Sequence, residues 1–191
     1  MKIYIPVLLI LCLSNFLHSS PGDLLWRYQT NGYVRSSPVV ANNIVYFGSN
    51  DRNFYALNAQ NGSIVWGIQI GTSIWSRPLV KDGVVYYAGF EPLYIVRAHN
   101  ANSGTRIWEF ETTSYNYSSP VVSNGILYVG SNDKYLYAIN TSDGSLKWKY
   151  LAAAEVGTPC IWETKGLVYF GIRKHTTAMK VFLLLMLHQE I

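Results

Sequence analysis

The side chains able to do chemistry in this chain are few, and their spacing does not assemble them. The four histidines, His18, His99, His175 and His188, never fall at His-x-x-x-His spacing and never pair with cysteine as a metal site requires. Cys12 and Cys160 are the only thiols, so there is no vicinal cysteine pair. No Gly-x-Ser-x-Gly elbow and no glycine-rich phosphate loop occurs. His99 reads as a surface or turn residue. Cys160 follows Pro159 at an apolar strand position and reads as a buried, inert thiol. Asn61, Asn116 and Asn140 each begin an Asn-x-Ser sequon, a glycosylation acceptor only if the chain is exported where glycans are added. In so asparagine-rich a chain, turn and repeat roles explain Asn61 and Asn140 more simply. The net charge of +4 comes from basic residues scattered singly, with no basic run, which argues against nucleic-acid binding.

The elements that would have to position any site are written as a repeat. Three segments share the pattern Ala-x-Asn-x-x-x-Gly-x-x-x-Trp: Ala56, Asn58, Gly62 and Trp66; Ala98, Asn100, Gly104 and Trp108; Ala138, Asn140, Gly144 and Trp148. With Trp26 the tryptophans recur 40, 42 and 40 residues apart. Pro38, Pro78, Pro120 and Pro159 keep the same phase, as do Gly48, Gly89, Gly130 and Gly171 at intervals of 41. A period near 40 residues means an array of like units. Each unit reads as four short strands rich in Val, Ile, Tyr, Phe and Trp, separated by Asn, Asp, Gly and Ser. In the first unit these are a lead-in after Pro38, Ile44–Gly48, Phe54–Asn58 and Ser63–Ile70, with no 3.6-residue apolar period anywhere in the repeats. Four antiparallel strands per unit of this length predict an all-β β-propeller built of four-stranded blades. The motif residues carry packing roles. Alanine and glycine leave room where blades meet, and tryptophan can lie flat across the neighbouring blade and needs one acceptor for its N–H. The asparagine can bond its own turn.

These residues resemble the pyrroloquinoline-quinone (PQQ)-type β-propeller repeat family, whose tryptophan-docking motif matches the three segments above. The resemblance covers about Leu24 to Gly171. It implies the fold, and it leaves open two kinds of activity. One is that of quinoprotein alcohol dehydrogenases, which place a vicinal cysteine pair beside the quinone, bind calcium through Glu, Asn and Asp, and use an Asp as base. The other is the non-enzymatic lipoprotein scaffold of the outer-membrane β-barrel assembly machinery. Asp51 and Asp133 match the calcium or base residues by type only. Both sit in the same Ser-Asn-Asp turn of the repeat, which assigns them a structural role. The reading that follows is a non-catalytic exported scaffold that binds a protein or ligand through loops such as Ser49–Asp51 and Ser131–Asp133, with no cofactor. The alternative is the N-terminal fragment of a PQQ-dependent oxidoreductase, with PQQ as cofactor.

Length bounds the architecture. Rings of that family close with seven or eight blades, roughly 290 to 330 residues at about 41 each. The 191 residues hold three full repeats and the first two strands of a fourth, an incomplete ring that predicts a protein partner or self-association. Residues 1–20 read as a signal peptide: Lys2, then an apolar run from Ile3 to Leu13, then Ser14, Asn15, Ser19 and Ser20. Export places the repeats in the periplasm, the cell envelope or outside the cell, and an uncut N-terminus would tie them to a membrane. Cys12 offers a faint lipidation box, with bulky Leu11 before it. The repeats fill residues 21–171. Residues 172–191 abandon the repeat for a divergent tail, Val181–Leu187 being a run of seven apolar residues, too few to span a bilayer. The tail reads as an interrupted gene product, or else as a substitute strand or short helix over an open blade edge.

Overall fold

A computed structural model of the chain describes residues 23–173 and the backbone of residues 184–187. Residues 1–20, read above as a signal peptide, and with them Cys12, lie outside the described residues. The first blade is a meander of β1 (Val39–Ala41), β2 (Ile44–Gly48), β3 (Asn53–Asn58) and β4 (Ile64–Gln69). The second repeats it with β5 (Leu79–Lys81), β6 (Val84–Ala88), β7 (Ile95–Asn100) and β8 (Arg106–Glu111). The third is β9 (Val121–Ser123), β10 (Ile126–Gly130), β11 (Tyr135–Asn140) and β12 (Leu146–Leu151). Within these blades all pairs are antiparallel and sequential, because turns of two to six residues are too short for a crossover. Among the described residues the only helical element is a 3₁₀ turn at Glu163–Lys165.

One row of side chains explains why each blade needs its motif alanine. Tyr46 lies opposite Ala56, which lies opposite Trp66. The same register gives Tyr86, Ala98 and Trp108, and Tyr128, Ala138 and Trp148. The Tyr and Trp rings meet over the alanine at 6.0, 5.9 and 5.8 Å between centroids. A larger residue would push them apart, and all three alanines are fully buried. The residue after each alanine sits at a register shift that turns the outermost strand.

The core lies between blades. Tyr46, Phe54 and Ala56 of the first blade pack on Val85 and Tyr87 of the second. Tyr86, Val96 and Trp108 of the second pack on Leu127, Val129 and Tyr137 of the third. Tyr128, Leu136 and Ala138 of the third pack on Val168 and Phe170 beyond it. Each second strand thus sends alternate residues to the blade before and the blade after.

The fourth unit departs from the expected two strands. Here β13 (Glu155–Val156) pairs with β16 (Ile172–Arg173), and β14 (Cys160–Trp162) pairs with β15 (Leu167–Phe170). The tail then supplies β17 (Leu184–Leu187), which pairs antiparallel with β15 as a substitute third strand. Tyr169 lies opposite Leu185, so Leu185 holds the register position of Ala56.

Two sequence landmarks need correction. The second-blade counterpart of Gly48 and Gly130 is Ala88, not Gly89. Ser36 Oγ bonds the Gly48 backbone, Ser76 Oγ the Ala88 backbone and Ser118 Oγ the Gly130 backbone, each twelve residues on. Ala88 follows Gly48 by 40 residues, and Gly89 is the first residue of a turn that has six residues where the other blades have four, so the spacing of 41 does not make it equivalent. Cys160 is exposed, not buried. Its counterparts Val39, Leu79 and Val121 each pack toward the following blade. Cys160 faces the same way, where the described residues hold no further blade.

Candidate functional site

The docking motif joins the blades in one direction. The Trp26 indole N–H donates to the Ala59 carbonyl at 2.9 Å, Trp66 to Ala101 at 2.8 Å and Trp108 to Thr141 at 2.8 Å. Each acceptor is the residue after the motif asparagine of the next blade. The indole face lies on the next blade's motif glycine, which has φ of +70°, +71° or +77°. A Cβ on Gly62, Gly104 or Gly144 would stand 2.6, 2.9 or 2.8 Å from the ring above it. Glycine is required here twice over, for the left-handed backbone and for the close approach. The asparagines shape the turn beneath. Asn58 Oδ1 accepts the N–H groups of Gln60 and Asn61, and Asn100 Oδ1 those of Asn102 and Ser103. Asn140 instead donates to Ser145 Oγ at 2.7 Å. Trp148 packs beside Tyr128 at the edge of the cluster between the third blade and the last sheet.

The Ser-Asn-Asp turns are built the same way twice. Asp51 accepts from the N–H groups of Asn31 and Asn53 and from the Tyr55 hydroxyl. Asp133 accepts from Thr113, from the Tyr135 N–H and from the Tyr137 hydroxyl at 2.6 Å. Burial pushes the Asp51 carboxyl up, but the bonds from Tyr55, Asn53, Asn31 and Ser49 together outweigh it and hold it below the usual range. Tyr55 is pushed up to about 12 by burial and by its bond to Asp51. The second blade replaces this device. Its turn reads Phe90-Glu91-Pro92-Leu93, and Arg97 stands where Tyr55 and Tyr137 stand, ion-paired to Glu109 and bonded to the Ile70 carbonyl at 2.7 Å.

His99 corrects its surface assignment: it is 4% exposed, beneath the second-blade turn. Its Nδ1 lies 2.8 Å from the Gly104 carbonyl and must carry the proton there, so Nε2 accepts from the Tyr87 hydroxyl at 3.0 Å. Desolvation lowers its pKa, and the Gly104 carbonyl opposes that. Of the three sequons, Asn61 is exposed and Asn140 half-buried. Asn116 is fully buried, donating to the Gly89 carbonyl and Thr112 Oγ1, a packing role that leaves no space for a glycan.

What sequence spacing did not reveal is an aromatic row at the inner ends of the blades. The residues three before each proline are Arg35, Trp75 and Tyr117. The serine clamps described above pin these segments against the ends of β2, β6 and β10. The Arg35 guanidinium lies over the Trp75 ring at 4.6 Å, and Trp75 stacks on Phe90 at 4.0 Å and 13°. Phe90 meets Tyr115 at 4.7 Å and Tyr117 at 4.8 Å, and the Arg173 guanidinium stands 6.0 Å over Tyr117. The Trp75 N–H donates to Asn50 Oδ1 at 2.9 Å, which ties the first Ser-Asn-Asp turn to the row. Asn132 of the other such turn lines a cleft of about 250 Å³ with Ser114, Tyr115, Tyr117, Glu155 and Arg173. This surface offers flat apolar faces with a cation at each end, suited to stacking and to pairing with carboxylates.

Blades of this geometry, joined by an indole laid on the next blade's glycine, define a β-propeller repeat protein. A family model described as outer membrane protein assembly factor BamB matches residues 16–73 and 94–170, and the chain belongs to that PQQ-type repeat family. No curated protein matches the chain by sequence. Among solved structures, BamB from Moraxella catarrhalis superposes with a TM-score of 0.67 at 18% identity, covering 78% of this chain and 47% of that one. The computationally designed protein Ika4 superposes at 0.73 and 14% identity, covering 87% of this chain and 98% of that one. Quinohemoprotein alcohol dehydrogenase ADHIIG from Pseudomonas putida HK5 gives 0.66 at 16% identity, covering 78% and 30%. The chain therefore spans about half the length of BamB.

The described residues do not by themselves fit a calcium-bound quinone. No three of their His, Cys, Asp or Glu side chains come together to hold a metal ion, and the Asp51 and Asp133 carboxylates are filled by tyrosine and turn donors.

Proposed function

We propose that this chain is a non-catalytic, exported propeller protein that holds a protein partner on the aromatic row. The observation behind this reading is the sequence Arg35, Trp75, Phe90, Tyr117 and Arg173 in stacking contact beside the Tyr115–Glu155 cleft. Packing between blades accounts for the other aromatic clusters, while Tyr117 remains 39% exposed and Arg173 exposed. A partner segment rich in aromatic and acidic side chains would pack on the exposed part of Tyr117 and pair with Arg35 and Arg173. BamB is by its description an assembly factor of the outer membrane, which supports a partner in the cell envelope. The test is a photo-crosslinking amino acid placed at Tyr117 and, as control, at the exposed Trp162. A discrete crosslinked protein at Tyr117 alone is expected. Equal labelling at both positions would remove the row from consideration.

The likeness to ADHIIG supports a second reading, a fragment of a quinoprotein oxidoreductase whose cofactor residues lie on other blades. Purified chain mixed with PQQ and calcium is expected to retain no quinone absorbance and to reduce no dye with alcohols. A retained quinone spectrum would favour the enzyme reading.

A further inference from the structure

Two positions of the repeat build the aromatic row. One stands three residues before each proline and holds Arg35, Trp75, Tyr117 and Val156. The other stands two residues after Gly48, Ala88, Gly130 and Gly171, and holds Asn50, Phe90, Asn132 and Arg173. The fourth unit keeps this phase, because the Gly157 N–H donates to the Gly171 carbonyl at 2.9 Å where the other units use the serine clamp.

Between the first and second blades the two positions form a socket around an indole. The Arg35 guanidinium lies over the Trp75 ring at 4.6 Å, and Phe90 stacks on that ring at 4.0 Å. Two groups that close cannot share one face, so both faces of Trp75 are covered. Its N–H donates to Asn50 Oδ1 at 2.9 Å. Asn50 is itself fixed, its backbone N–H donating to the Tyr33 carbonyl at 2.9 Å.

Between the third blade and the last sheet the same parts surround a cleft. The Asn132 backbone N–H donates to the Tyr115 carbonyl at 2.9 Å, as Asn50 does to Tyr33. Tyr117 stands in the position of Arg35, and Arg173 in that of Phe90, so an aromatic ring and a guanidinium flank the joint in exchanged order. Val156 replaces Trp75. It is 3% exposed, packs into the cluster of Val168 and Phe170, and has no side-chain N–H for Asn132. Above it is the cleft of about 250 Å³ that Tyr117, Asn132 and Arg173 line. Arg173 stands 6.0 Å from the Tyr117 ring, against 4.6 Å for Arg35 on Trp75. The Arg173 side chain is exposed and can swing outward to admit a ring.

We propose that this cleft receives a tryptophan side chain of the partner, its ring between Tyr117 and Arg173 and its N–H donating to Asn132 Oδ1, as the chain holds its own Trp75. This rests on the reading that a protein segment binds the row, and it names that segment's anchor. An indole supplies all three contacts at once: a flat apolar face for Tyr117, a π surface for the guanidinium, and one N–H for the amide oxygen. Tryptophan is also the residue type most suited to fill a central pocket of an interface.

The probes are N-acetyl-tryptophanamide and its N1-methyl analogue, titrated into the isotopically labelled 191-residue chain and followed by backbone amide NMR. Shifts at Tyr117, Asn132 and Arg173 are expected with the first probe. The methyl analogue should bind about five-fold more weakly, the size of one net hydrogen bond. Asn132→Leu should bring the two indoles to equal affinity, which a general loosening of the turn would not do. Equal affinities on the unaltered chain, or shifts confined to other residues, overturn the proposal. Failure of the partner reading looks different: crosslinking at Tyr117 would capture no discrete protein while the indole probe still bound at Asn132. A captured protein whose crosslinked segment holds no tryptophan would overturn the present proposal alone.

Discussion

Replacing Trp108 by alanine tests the interblade joint at its most buried copy. The indole is 6% exposed, packs in the core between the second and third blades, and donates to the Thr141 carbonyl at 2.8 Å. Truncating a buried Trp to Ala costs about 3 to 5 kcal/mol, because the cavity cannot collapse fully. Gly144 cannot rise to fill it, having no side chain. Trp108→Phe keeps most of the apolar face and loses the N–H donor, which should cost about 1 to 2 kcal/mol. Trp162→Ala, at a residue 50% exposed, should stay within about 0.5 kcal/mol. With a urea m-value of about 2 kcal/mol per M, the midpoints should fall by about 2 M, 0.5 to 1 M and under 0.3 M in that order. Equilibrium unfolding followed by tryptophan fluorescence and by circular dichroism reads all three. If Trp108→Ala unfolds at the midpoint of Trp162→Ala, the tryptophan does not hold the blades together and the docking account is wrong.

Gly104→Ala and Gly83→Ala separate backbone strain from close contact. Both glycines have positive φ, but a Cβ at Gly83 meets nothing within 4 Å, whereas at Gly104 it meets the Trp66 ring at 2.9 Å. Gly83→Ala should cost about 1 kcal/mol and Gly104→Ala at least twice that, read by the same unfolding curves. His99 has a folded pKa below its ordinary 6.5, so its stabilising contribution is complete above about pH 6.5 and is lost as pH falls toward the folded value. Melting temperature should decline across that interval, and His99→Gln should flatten the decline while lowering stability at pH 8. Asp133→Asn and Tyr137→Phe should couple in a double-mutant cycle by about 1 kcal/mol, whereas Asp133→Asn with the distant Tyr46→Phe should be additive.

Much of this fold was legible because a repeat multiplies weak signals. The strand Ile44–Gly48 was read to the residue, and Phe54–Asn58 within one, because Asn and Gly turns bound them on both sides. The docking of tryptophan on a neighbour followed from its constant distance to a glycine. The misread positions share a cause: they are places where one blade departs from the others. A turn two residues longer after Ala88, with a glycine as its first residue, disguised the true counterpart of Gly48. Arg97 and His99 entered the second blade's interior at positions that are tyrosine or apolar elsewhere, and no local pattern marks a buried charge. Cys160 was placed by analogy with residues that each have a following blade, a condition not met for it among the described residues. The aromatic row was invisible because Arg35, Trp75 and Tyr117 are unlike in type, so aligned repeats show no motif there. The substitute strand β17 carries none of the repeat's residues and could be named only as one alternative.

The direction of the indole joints also sets a timetable. Trp26 waits 33 residues for Ala59, Trp66 waits 35 for Ala101, and Trp108 waits 33 for Thr141. At roughly 5 to 20 residues per second of synthesis, each tryptophan stays bare for about 2 to 7 seconds before its platform emerges. Each of these three tryptophans is docked by the blade made after it, never by the one before. The last blade to emerge is thus the last to be secured, and chaperones or proteases that survey the growing chain meet one unsecured indole at a time.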